Sequence, residues 1–165
     1  MPNALSTELV RGVGALLRAA QMAGAMEAAL DLATTYANDR VQFGRPIGKF
    51  QAIQQQLALL AEEAAAALVA VESAAISVAE GRQSAEFALA AAKIRAGEAA
   101  GAVAEIAHQV HGAIGFTEEH FLPNLTRRLW SWRDEFGDES YWAGLLGRRI
   151  AAAGGAGLWP LIAQP

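Results

Sequence analysis

A chain of 165 residues with a formal net charge of -4 has room for one hydrophobic core, and an acidic balance without any basic run excludes nucleic acid as its main partner. Hydrophobic residues make up 53% of the chain but aromatics only 7%, so its apolar content is chiefly alanine, the best helix former. With no cysteine it has no disulfide framework, thiol nucleophile or cysteine metal cage. The N-terminal MPNALSTELVRG lacks the basic start and apolar block of a signal peptide, and the alanine runs are short and acid-flanked. A soluble cytoplasmic chain with no membrane segment is therefore expected.

In chain order, Ser6 or Thr7 can cap a first helix, with Glu8 placed against its positive end. Residues 7–40 would then make a rod about 50 Å long at 1.5 Å per residue. The FGRPIG turn, Phe43 to Gly48, ends it. Over residues 50–80, Ile53, Leu57, Leu60, Ala64, Leu68, Val71, Ala75 and Val78 recur by threes and fours, which predicts one apolar helix face. Gly81 suits a stop and Ser84 a cap, opening a third helix over 84–111 that carries Phe87, Ala91, Ile94, Val103, Ile106 and Val110. The segment HGAIGFT breaks that pattern, and Pro123 suits the first turn of a shorter helix over 123–132. A loop at 133–138 precedes a last helix over 139–153, which Gly154 and Gly155 end. Residues 1–153 are thus expected to form an all-α, up-and-down helical bundle, with 154–165 as a flexible tail of no regular period.

The most distinctive string is RVQFGRPIGKFQAIQ, Arg40 to Gln54. Arg40 and Arg45 suit cations at a helix C-terminus, and that capping role competes with a functional one. Two guanidiniums, Phe43 and the amides of Gln42 and Gln51 on one turn also suit a phosphate ester with a stacked base. His108 and His111 have a spacing that can hold a metal, but only Glu105 stands nearby, so no metal site is expected. Trp130, Trp132 and Trp142 read as core or interface, and Glu62, Glu63, Glu72 and Glu80 as a solvated face.

YANDRVQFGRPIGKFQAIQ resembles the R-x-x-F-G-x-x-I/L-x-x-x-Q-A-I signature of the acyl-CoA dehydrogenase family, and QVHGAIGFTEEH, Gln109 to His120, is similar to its Q-x-H/F-G-G-x-G-F-T-x-E-H segment. The bundle resembles that family's C-terminal helical domain. By that resemblance FAD is the cofactor, with Arg40 at its pyrophosphate, Gln42, Phe43 and Gln51 lining it, and Gln109, His111, Gly112 and Ala113 at its adenosine half. Ala113 stands where the family has a second glycine, and a buried, hydrogen-bonded His111 is an equal alternative.

The family's chemistry needs a carboxylate to take the substrate's α-proton while the flavin takes a hydride. Aligned through Arg148, Phe136 occupies the usual base position, ahead of Gly137 and Asp138. In other family members the base lies on the first bundle helix, at a position that here falls on Gly14 or a close neighbour. The nearest candidates are Asp138 and Glu139, which serve equally as a helix cap and a dipole partner. The resemblance therefore implies a domain or subunit of a flavin-dependent acyl-CoA dehydrogenase. It would be incomplete alone, hold FAD weakly or not at all by itself, form a homo-oligomer, and meet acyl-CoA only with a partner chain supplying the N-terminal and β-domains. A non-catalytic scaffold, or a bundle reused for another acyl or steroid-like ligand, are the alternatives.

Overall fold

The computed structural model describes residues 6–163. Helix α1, Thr7–Asp39, opens on Ser6, whose side-chain oxygen accepts from the Leu9 amide at 3.1 Å. The turn that follows is a small ribbon: β1, Val41–Gln42, pairs antiparallel with β2, Arg45–Pro46, and a 3-10 turn, Ile47–Lys49, leads on. Then come α2, Gln51–Ala79, and α3, Ala85–His111, and after a second 3-10 turn, Gly112–Phe116, come α4, Leu122–Asp134, and α5, Glu139–Ala153. The all-α bundle of the sequence analysis is the fold observed.

Four local expectations are corrected. Ser84 has helical backbone angles and makes no capping bond, so α3 starts without a side-chain cap. Beyond Val71 the buried positions of α2 are Ala74 and Ser77, while Ala75 and Val78 are exposed; a straight helix of 3.6 residues per turn carries its buried face along that line. Residues Gly155–Ala163 form a further helix, α6, where no period was expected: after Gly154 at φ +71 the remaining Ala, Leu, Trp and Ile tolerate a helix despite Pro160. Glu63, expected on a solvated face, forms an ion pair with Arg95 of α3.

The core is made of small residues. Ala19, Ala23, Ala29 and Ala33 of α1, Ala64, Ala67 and Ala74 of α2, and Ala92, Ala96, Ala99 and Ala100 of α3 are all buried. Side chains this short let backbones approach closely, so α3 packs against α1, α2, α4 and α5 at once. That explains why α3 is buried nearly all round and shows little amphipathic signal. A satellite cluster of Ala15, Leu89, Ala90, Trp142 and Leu146 fastens α5. No helix among the described residues is long and apolar enough to cross a membrane.

Candidate functional site

Two regions gather the residues with chemical potential. The first is a cleft of about 590 Å³ where the C-terminal end of α1, the β1–β2 ribbon and the end of α3 converge. Its lining includes Arg40, Gln42, Phe43, Gln109, His111, Gly112 and Ala113, so seven of the eight residues expected to bind cofactor come together. Gln51 is the exception, exposed at the first turn of α2 and outside the lining. Tyr36, Ile47, Phe50, Ile53, Val110 and Ile114 complete the walls, and none of them was expected from sequence to line the site.

The ribbon's turn has positive φ at both central residues, Phe43 at +51 and Gly44 at +78. That mirror-image turn matches the twist of paired strands and normally takes Asn or Gly at both places. A phenylalanine there costs roughly 1–2 kcal/mol. Its ring gains little in return, for Phe43 is 92% exposed and meets Phe50 only edge-on at 6.2 Å. Arg45 lies over Phe50 at 4.2 Å, whereas Arg40, also exposed, has no carboxylate partner among the described residues. Arg40 is not on the last turn of α1 but one residue beyond it, in extended backbone, its amide donating to the Tyr36 carbonyl at 2.9 Å.

His111 forms the cleft floor by stacking on Tyr36 at 4.7 Å. It is buried; Nδ1 donates to the Ala107 carbonyl at 2.7 Å, and Nε2 has no partner. Burial pushes its pKa below the ordinary histidine value, the Ala107 carbonyl opposes this, and His120 and His108 reinforce it. Its Nδ1 thus serves the fold, while Nε2 is buried without a hydrogen-bond partner and the ring borders the cleft. His108 is held in a similar way, with Nε2 at 3.0 Å from the Thr126 hydroxyl, Nδ1 buried without a partner, and its ring stacked on Phe116. Among the described residues no group of three His, Asp or Glu is arranged to hold a metal. Gly112, at φ +65 and ψ -144, has a conformation only glycine adopts readily, and it turns the chain so that Ala113 faces the cleft.

The second region is the 133–138 loop. Lys93 of α3 is fully buried, and its Nζ donates to the carbonyls of Arg133 at 2.6 Å and Gly137 at 2.8 Å, gripping both ends of the loop. Burial lowers its pKa, partly offset by Glu139, Asp134 and Asp138. Between those grips Phe136 adopts φ +59 and lays its ring on Gly14 of α1, so closely that a Cβ at Gly14 would lie 2.4 Å from it. Arg18 pairs with Glu135 at 2.6 Å beside them. A cavity of about 550 Å³ opens here, lined by Gly14, Leu17, Arg18, Ala20, Gln21 and Phe136.

The two positions matched to the family's alternative bases therefore touch, and neither is a carboxylate. Asp138 caps α5, accepting from the Tyr141 amide at 2.8 Å, and Glu139 accepts from Arg133 at 2.8 Å while lying against Gly97. Lys93 was missed in the sequence; its signal was a lone cation in an otherwise alanine-rich helix face.

Helices α1 to α5 thus form a bundle whose cleft is built from an R-x-x-F-G ribbon and a Q-x-H-G turn. The profile of the acyl-CoA dehydrogenase C-terminal domain matches residues 11–150, and the chain belongs to that family. Acyl-CoA dehydrogenase IpdE2 of Mycolicibacterium smegmatis is 42% identical over 114 residues, 69% of this chain and 35% of that protein. Among solved structures, butyryl-CoA dehydrogenase from Megasphaera elsdenii superposes with a TM-score of 0.81 at 32% identity, covering 86% of this chain and 37% of that one. A chain of the ChsE4-ChsE5 complex from Mycobacterium tuberculosis gives 0.82 at 30% identity, covering 88% and 40%. The chain spans about a quarter to a third of the length of the curated relatives it matches.

Proposed function

We propose that this domain forms the pyrophosphate and adenosine side of an FAD site in an acyl-CoA dehydrogenase assembly, with the flavin-ring domain and the catalytic carboxylate supplied from elsewhere. The observation that carries this reading is Phe43, a ring displayed at a backbone cost beside Arg40, which has no carboxylate partner among the described residues. Strain of that kind persists where a binding partner rewards it. The donor set fits the group: Arg40 offers a charge-assisted contact to a phosphate, Gln42 and Gln109 offer amide donors and acceptors, and Phe43 offers a stacking face.

FAD, when bound, supplies the acceptor for a substrate hydride. This chain's own residues bind and orient; no carboxylate stands at Gly14 or Phe136 to move a proton. The acyl-CoA substrate is therefore placed at the partner's carboxylate, in an assembly that is cytoplasmic and contains more than one copy of the bundle. The competing scaffold reading draws on the same missing carboxylate, and flavin capture separates the two.

The test is visible flavin absorbance retained after gel filtration of the assembled protein. Stoichiometric flavin that falls at least tenfold in affinity in Arg40→Ala supports the reading, the loss of one charge-assisted bond being worth about 1.5–3 kcal/mol. An assembly that never retains flavin, or an Arg40→Ala variant that retains it fully, overturns it.

A further inference from the structure

All three histidines of the chain gather behind the wall of the cleft, and the proposed function uses none of their protons. His111 stacks on Tyr36 of α1 and meets His120 edge-on, with ring centres 4.6 Å apart. His108, one turn earlier on α3, lies between Phe116 at 4.2 Å and Trp130 at 6.3 Å. The 3-10 turn Gly112–Phe116 is folded onto both: a Cβ at Gly115 would lie 2.8 Å from the Cβ of His111 and 3.4 Å from Nδ1 of His108. That turn carries Gly112, Ala113 and Ile114, which line the cleft.

The hydrogen bonds around this cluster suit neutral rings. His120 Nδ1 accepts from the amide of Leu122, the first residue of α4, at 3.1 Å. An imidazolium carries a proton on each nitrogen and cannot accept, so charging His120 breaks that bond and sets a cation at the positive end of α4. The same charge lies against His111, whose Nε2 is buried without a partner, as is Nδ1 of His108. Burial works against a charge on either ring, the carbonyls of Ala107 and Leu32 at His111 and of Gly115 at His108 ease it only in part, and His120 adds to the opposition. Of the charged groups on the surrounding elements, Asp31 and Asp39 of α1 line one groove with His120. Arg40, Glu105, Glu118, Glu119 and Arg127 are exposed, and no carboxylate forms an ion pair with any of the three histidines among the described residues.

We propose that the three histidines are an acid-sensitive latch on the cleft: a proton taken up at His120 frees residues 112–121, opens the wall they form and releases the ligand held there. His120 is the entry point because it is half-buried, whereas His108 and His111 are closed off until the segment lifts. Asp31 and Asp39 draw the charged ring towards α1 and away from α4. Once the segment lifts, all three rings reach water and can be charged, so opening is coupled to proton uptake. The identity of the ligand rests on the reading of the cleft as the adenosine side of an FAD site; the latch rests on the histidines alone.

Amide hydrogen exchange on the full chain, followed by NMR, reads the latch without any cofactor. The amides to follow are Gly112, bonded to the His108 carbonyl, Thr117, bonded to that of Ile114, and Leu122. Between about pH 7.5 and 5.5, which spans histidine titration, their protection should fall about tenfold or more while residues 96–104 of α3 stay protected. His120→Asn retains an oxygen for the Leu122 amide but takes no proton, so it should remove most of that fall. Adding His111→Phe, which keeps a ring on Tyr36 without a titrating nitrogen, should remove most of the rest. Protection that is indifferent to pH, that is lost only together with residues 96–104, or that falls as steeply in His120→Asn overturns the latch. In the assembled protein, flavin affinity should drop about tenfold over the same range, and by less in His120→Asn. Flavin held equally at both pH values sinks the latch alone, and a segment that opens in an assembly that never captures flavin sinks the cofactor reading alone.

Discussion

Phe43 and Phe136 are the non-glycine residues with positive φ among those described, and the two are strained to different ends. The Phe43 ring is held out into solvent at the cleft; the Phe136 ring is pressed onto α1. Phe43→Asn relieves the turn, so it should stabilise the free domain by about 1 kcal/mol in urea unfolding while lowering flavin capture by the assembly. A purely structural Phe43 would lose stability instead. The buried histidines make one and the same statement about pH. Burial lowers both His108 and His111 below the ordinary value of 6.5, so the unfolded chain binds more protons across that window. Stability is therefore full above about pH 6.5 and falls as pH drops through the lowered folded values. Thermal unfolding from pH 7.5 to 5 checks the sign, and with three histidines in the chain the imidazole proton resonances can be followed one by one.

At the scale of elements, the 133–138 loop is held by contacts from α1, α3 and α5 that lie far apart in sequence. Lys93 supplies two hydrogen bonds to it, and a neutral amine still has two N–H donors for those two carbonyls, so loss of its proton does not release the loop. Lys93→Met removes the donor from both part-buried carbonyls and should cost about 1–3 kcal/mol in denaturant unfolding. Gly14→Ala should cost about 1–3 kcal/mol because the Phe136 ring occupies the place of the new methyl. That cost should largely vanish in a Phe136→Ala background, and a double-mutant cycle reads the coupling directly. The helices themselves were legible, since alanine content, glycine and proline punctuation and the three-four spacing are local signals. The ribbon, the uncapped start of α3 and the helix α6 were not, for each turns on hydrogen bonds made or omitted by single residues.

For the whole molecule, the proposed function puts proton abstraction outside this domain, because the Phe136–Gly14 contact carries no carboxylate. In a flavin-loaded assembly Asp138→Asn and Glu139→Gln should leave turnover nearly unchanged, with Glu139→Gln costing no more than about 1 kcal/mol of stability through its partly exposed pair with Arg133. Steady-state kinetics on both variants decide this, and a collapse of kcat in Glu139→Gln would put the base in this chain. By itself the sequence determined the helical class, the R-x-x-F-G and Q-x-H-G strings as motifs, and the lack of a carboxylate at either aligned base position, because composition, short-range periodicity and contiguous motifs are properties of neighbouring residues. Tertiary structure alone decided that those motifs share one cleft floored by Tyr36 and His111, that Gln51 stays outside it, that Lys93 is buried to hold a distant loop, and that Gly14 meets Phe136. Each of those depends on how closely alanine-lined helices approach, a distance set by packing across the bundle and written in no local stretch of the chain.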